Sequence, residues 1–156
     1  MTAPLVDPAD LARRGRVLTF AFCSAIVLVA VVVLLVVPNG HESGPGLAVG
    51  LAVGVLGFLL ARWLPARGLR PLAPGEHDAG AAGRVLTAAF LAIALAEAPV
   101  LAGIPYAFAT TGDRGAFLVA APIAIASIIL NATGAPSLRR HVTRLESRGG
   151  STGITV

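Results

Sequence analysis

The chain has 156 residues, 56% of them hydrophobic and only 13% charged, with a mean hydropathy of +0.83. A soluble domain of ordinary composition carries about 25% charged residues, so that class is excluded. The formal charge of +4 rests on twelve arginines, no lysine and eight acids, and where the arginines fall says more than how many there are.

Residues 1–16 are polar, contain Asp7, Pro8 and Asp10, and end in Arg13, Arg14 and Arg16. They read as a cytoplasmic N-terminal segment. A first apolar run follows from Val17 to Val37, is free of charge, and is stopped by Pro38-Asn39-Gly40. Its length is that of a bilayer-crossing helix and exceeds the ~7 to 15 apolar residues of a secretory signal. The second run, about Gly46 to Leu64, is built on small residues. Gly46, Gly50 and Gly54 recur at every fourth position with Gly57 one turn on, a strip that lets another backbone approach closely.

Residues 65–84 form a Pro/Gly/Ala-rich stretch, predicted to be a cytoplasmic linker without helix. The third run, about Val85 to Thr110, contains Glu97, Pro99, Gly103 and Pro105; the fourth, about Ala116 to Thr133, contains Pro122 and stops at Gly134 and Pro136. Residues 136–156 are a basic cytoplasmic tail carrying Arg139, Arg140, Arg144 and Arg148, which can attract anionic lipid headgroups. Eleven arginines flank one side of the runs and Arg114 alone the other. The positive-inside bias then puts both termini and the linker in the cytoplasm.

Gly15-Arg16-Val17-Leu18-Thr19-Phe20-Ala21-Phe22 matches Gly83-Arg84-Val85-Leu86-Thr87-Ala88-Ala89-Phe90 at seven of eight positions. The expected fold is therefore an all-α polytopic membrane protein, four transmembrane helices arranged as two parallel-repeat hairpins (17–64 and 85–135), with N-in/C-in topology. Multi-pass residence in the cell membrane follows as the expected location.

Glu97 is the expensive residue. It stands about 18 Å into its span at ~1.5 Å per residue, near the midplane. A charge there costs roughly 2.5 to 3.5 kcal/mol, against a gain of about 0.3 to 0.6 for each Leu or Ile. Desolvation favours the protonated, neutral form, so Glu97 is the candidate proton-binding residue. Pro99 and Pro105 lack an N–H and free the carbonyls of Leu95 and Leu101. Those carbonyls, Tyr106, Ser127 and Asn131 are the candidate partners of the acid. Ala92, Ala96 and Gly103 lie on a small-residue stripe expected to pack against the glycine strip of the second helix.

Other chemistry has little support. Cys23 is the only cysteine and lies in an apolar run, which leaves no disulfide framework. His41, His77 and His141 fall in separate polar segments, and Glu76-His77-Asp78 reads as hydrated linker. No metal site, cofactor or catalytic residue is expected. Cys23, Ser24 and Ser127 have no histidine or second acid at matching depth, so an enzyme is the weaker expectation. The expected partners are the lipid bilayer, a second copy or another membrane protein, and not nucleic acid.

In Gly44-Pro45-Gly46-Leu47-Ala48-Val49-Gly50-Leu51-Ala52-Val53-Gly54 small residues occupy alternate positions, and Ala94-Leu95-Ala96-Glu97-Ala98-Pro99 surrounds the acid. Together they resemble the hairpin of the proteolipid, or c subunit, of rotary ATPases, over about residues 44–108. The resemblance implies a proton-binding carboxylate at Glu97. The chain departs from that family in its long 65–84 linker and its two additional spans. It is also similar to uncharacterised bacterial four-span proteins with an Ala-Leu-x-Glu-Ala-Pro stretch, which implies no activity. Two readings stand: a structural or accessory membrane component with a buried, neutral glutamate, and a proton-binding component acting through Glu97.

Overall fold

A computed structural model describes residues 8–37, 41–78, 80–110 and 112–154. The Pro38-Asn39-Gly40 stop and the first seven residues of the N-terminal segment lie outside the described residues. Five α-helices follow in order among them: α1 (Pro8–Val36), α2 (Gly44–Gly68), α3 (Ala81–Ala109), α4 (Gly115–Ser127) and α5 (Ala135–Glu146). Between α4 and α5 the chain continues as π-helix over Ile128–Thr133. Four stretches are long and apolar enough to cross a membrane: Arg13–Val36, Gly44–Gly68, Ala81–Ala109 and Gly115–Ala132.

The helix boundaries differ from the sequence-based ones at the prolines. Pro8 begins α1 nine residues before the expected span, and a proline is well placed in a first helical turn, where its missing N–H has no partner to lose. Pro65 was expected to open the linker, yet α2 runs through it to Gly68. Pro65 and Ala61, whose carbonyl loses its donor, are both buried in the bundle, so packing outweighs the lost bond. The extended linker shrinks to 69–80 because α3 begins at Ala81.

The interior is small and the exterior is large, the reverse of a soluble core. Ala92, Ala96, Ala120, Ala124 and Ala132 are each 2% exposed or less, whereas Phe20 is 77% and Leu35 72% exposed. Lipid tails are as apolar as leucine, so helices gain from close backbone approach and not from hiding large side chains. This inversion places α2, α3 and α4 in one tight group. The first span lies outside it, touching α3, α4 and the π-helical segment through Ile26 and Val33.

The two sequence hairpins are accordingly not equivalent in packing. α3 and α4 meet directly, but α2 docks on α3 and α4, not on its sequence neighbour α1. The glycine strip explains the choice. A Cβ on Gly50 would overlap the Ala116 backbone, and one on Gly54 would lie 2.9 Å from Ile123, so the strip faces α4 along most of its length. Only Gly57 meets α3, at Pro99. Gly103 of α3 is likewise closed by α4, with its missing Cβ 3.0 Å from the Phe117 Cα.

Both ends of the bundle are tied. At one end His41 donates its N–H to the Gly112 carbonyl (3.1 Å) and accepts from the Arg114 N–H (2.9 Å). At the other, the Leu72 N–H donates to Leu145 (2.8 Å) and the Ser151 N–H to Glu76 (3.0 Å), joining linker to tail. The tail itself is helical, which the sequence reading missed. Leu138, Val142 and Leu145 recur along one face of α5 and pack on Leu69, Ala81 and Val85.

Candidate functional site

Glu97 sits midway along α3, half-buried, two helical turns beyond Phe90 on the same face. That face borders α1. The Phe22 and Phe90 rings meet edge to face with centroids 6.4 Å apart, at the register of the internal repeat. Cys23, the next residue of α1, lies within electrostatic range of the Glu97 carboxyl. Among the described residues Glu97 has no hydrogen-bond partner and no ion pair.

Of the groups expected to serve the acid, the Leu95 carbonyl, Ser127 and Asn131 are directed elsewhere. The Leu95 carbonyl freed by Pro99 faces α2, where a Cβ on Gly57 would lie 3.0 Å from it. This geometry follows from helix periodicity, since Leu95 and Glu97 stand about 200° apart around α3. The Tyr106 carbonyl accepts the Thr110 N–H (3.0 Å) at the far end of the span. Ser127 and Asn131 lie in the interior, 1% exposed each, and the Asn131 Nδ2 donates to the Ser127 hydroxyl (3.3 Å). Ala92 and Ala96 are buried on the opposite side of α3 from lipid, while Gly46, Gly50, Gly54 and Gly57 are buried along α2.

A second polar cluster has no counterpart in the sequence reading. The Ser137 hydroxyl of α5 donates to the Asn131 carbonyl in the π-helical turn, and His141, one turn further along α5, is 3% exposed. A π-helical turn offsets its carbonyls from the usual i−4 donors, and here a side chain takes one of them. The His141 Nδ1 and the Asn131 Oδ1 have no hydrogen-bond partner among the described residues. Burial, reinforced by the neighbouring Arg140 charge, pushes the His141 imidazole down to about 4 from 6.5, so it is neutral at physiological pH. The signal was present as a Ser137 and His141 pair at i, i+4 inside the Leu138, Val142, Leu145 pattern.

The third polar feature is Asp113, 3% exposed in the turn between α3 and α4. Its carboxylate accepts the Ser43 hydroxyl, the Ser43 N–H (3.3 Å) and the Gly115 N–H (2.9 Å). Ser43 in turn caps α2 by accepting the Gly46 N–H (2.9 Å). These bonds, the Ser43 hydroxyl first, hold the Asp113 carboxyl below its usual range. A Cβ on Gly46 would overlap the same carboxylate, so the first glycine of the strip makes room for the clasp.

Among the described residues no three of His, Cys, Asp and Glu gather where they could hold a metal ion. His41 lies in the turn between α1 and α2, His77 in the linker and His141 on α5. The fold is that of an all-helical, multi-pass integral membrane protein with a single acid in mid-span. No protein-family model, curated protein or solved structure matches the chain.

Proposed function

We propose that the chain is a non-catalytic structural or accessory component of the cell membrane, with Glu97 held protonated and neutral against α1. The observation that carries this reading is the isolation of Glu97. It has no cation beside it among the described residues to balance a charge, and the Leu95 carbonyl and the Asn131 amide are turned into the bundle. A carboxylate there is disfavoured by roughly 2.5 to 3.5 kcal/mol, a penalty that protonation removes. The glycine strip supports the same reading, because Asp113, Ala116, Ile123 and Pro99 fill it from within the chain. A ring of copies packed through that strip would have to displace α4.

The second reading is reversible proton binding at Glu97, as the proteolipid resemblance implies. It is favoured by the half-buried position of the carboxyl at the α1–α3 edge, where a proton donor or a lipophilic reagent has access. The experiment is a comparison of Glu97→Gln with the native chain in the producing cell and in bilayers. For an accessory role, the variant accumulates, assembles and complements a deletion as the native chain does. Loss of the phenotype at unchanged protein level establishes the proton-binding reading instead. Labelling of Glu97 by a hydrophobic carbodiimide that quickens as pH falls points the same way.

A further inference from the structure

Two cavities adjoin where the linker, the tail and the ends of α2 and α3 meet. One, about 300 Å³, opens at the end of the bundle where linker and tail meet and is lined by Arg70, Arg84, Arg148 and Glu76 together with residues 71–74. The other, about 290 Å³, is an apolar groove between the end of α2 and the start of α3, walled by Pro65, Leu69, Ala88 and Leu91. Arg70 and Arg84 line both. A polar chamber and an apolar groove therefore share two arginines at one end of the spans.

We propose that this composite site binds an anionic phosphodiester lipid of the cytoplasmic leaflet, with its phosphate among Arg70, Arg84 and Arg148 and one acyl chain along the α2–α3 groove. The charge count selects the headgroup. Three guanidiniums stand against Glu76 in the chamber and Asp78, which is paired with Arg84, so the net charge is +1 and a monoanion balances it. The Glu76 carboxylate is engaged by the Ala73 N–H (2.7 Å), which turns it toward its own loop. Among the described residues Arg70 and Arg148 have no acidic partner. The start of α3 is already served by Asp78, whose carboxylate accepts the Gly80 N–H (2.8 Å), so the attraction rests on the arginines. A free phosphate satisfies the arginines but leaves the groove unused. Guanidinium forks match phosphate oxygens, and basic pockets between spans at the cytoplasmic surface are the usual setting for anionic headgroups.

The test uses the full chain in detergent, delipidated and then titrated with phosphatidylglycerol, phosphatidylcholine or inorganic phosphate, with bound lipid read by native mass spectrometry and unfolding by heat. Phosphatidylglycerol is expected to remain bound and to raise the unfolding temperature, with phosphatidylcholine and phosphate doing neither. The double variant Arg70→Gln, Arg148→Gln alters two exposed side chains and should weaken phosphatidylglycerol binding about tenfold or more, with unfolding in phosphatidylcholine unchanged. Thr87→Phe, which fills the groove and leaves the arginines in place, should also weaken it. Equal retention of the two lipids, native affinity in either variant, or an equal shift from inorganic phosphate overturns the proposal.

Discussion

The carboxylate of Asp113 accepts the hydroxyl of Ser43 across seventy residues of sequence, and the same hydroxyl oxygen receives the Gly46 N–H in the first turn of α2. One acid thus fixes where both α2 and α4 begin. Ser43→Ala removes a cap and a carboxylate partner together and should lower stability by about 1 kcal/mol or more. Asp113→Ala should lower it further, because the Ser43 hydroxyl, the Ser43 N–H and the Gly115 N–H all lose their acceptor. The pH dependence has a defined sign. A carboxyl held below its unfolded value of 3.8 stabilises the fold above that pH and stops doing so as pH falls through the folded value. Thermal unfolding in micelles followed from about pH 5 down to about 2 should show a larger loss in the native chain than in Asp113→Asn, which keeps only the smaller losses from Asp78 and Glu146.

His141 has the opposite charge chemistry and a different window. Its folded value near 4 lies below the unfolded 6.5, so the released helix binds a proton that the docked helix refuses. Docking of α5 therefore weakens as pH drops from 6.5 toward 4, by on the order of 2 kcal/mol at the acid end. Hydrogen-exchange protection over Ala135–Glu146, taken relative to the intrinsic rate at each pH, should fall across that range. His141→Leu should flatten the dependence while keeping α5 protected at neutral pH.

Glycines at two positions should respond in opposite directions. Gly50→Ala places a methyl group against the Ala116 backbone, which cannot move without separating α2 from α4, and should cost about 1 to 3 kcal/mol. Gly83→Ala meets nothing within 4 Å in the first turn of α3 and should stabilise by about 0.4 to 1 kcal/mol. Unfolding temperatures of the two variants in one detergent decide it.

The edge contact between Phe22 and Phe90 should govern how firmly α1 is held. Phe90→Ala removes an aromatic pair worth about 0.5 to 1.5 kcal/mol. Cys23, the lone and half-buried thiol beside Phe22, reports the change. Its reaction with a lipophilic maleimide should quicken several-fold in the variant, and an unchanged rate would show that α1 is held elsewhere.

The four spans were legible because each is a run of about twenty apolar residues, and the bilayer leaves a backbone few alternatives to helix. Their ends were less so. Pro65 looked like a stop, yet its lost bond is offset by burial between helices, which periodicity does not reveal. In the tail, Arg139, Arg140 and Arg144 dominate the composition, while the apolar face of Leu138, Val142 and Leu145 is only three residues long. The glycine strip was visible, but its partner was not: small residues state that something comes close without naming it, and α4 rather than α3 fills most of the strip. The Ser43–Asp113 clasp and the Ser137–Asn131 contact were beyond reach of the sequence, since both join residues in different elements through geometry that only the assembled bundle sets. Glu97 could be singled out from composition alone, whereas its separation from Ser127, Asn131 and the Leu95 carbonyl depended on helix rotation.

Because hydrogen bonds join the loops at both rims, α2, α3 and α4 cannot fan apart individually like unhooped staves. A bilayer thicker or thinner than the apolar belt must be met by leaning the whole trio as one body. The first helix is fastened to the rim at its Val37 end, where the carbonyl accepts from the Arg114 guanidinium (3.3 Å), so a change in its inclination pivots there and alters the shelter over the carboxyl group in mid-membrane.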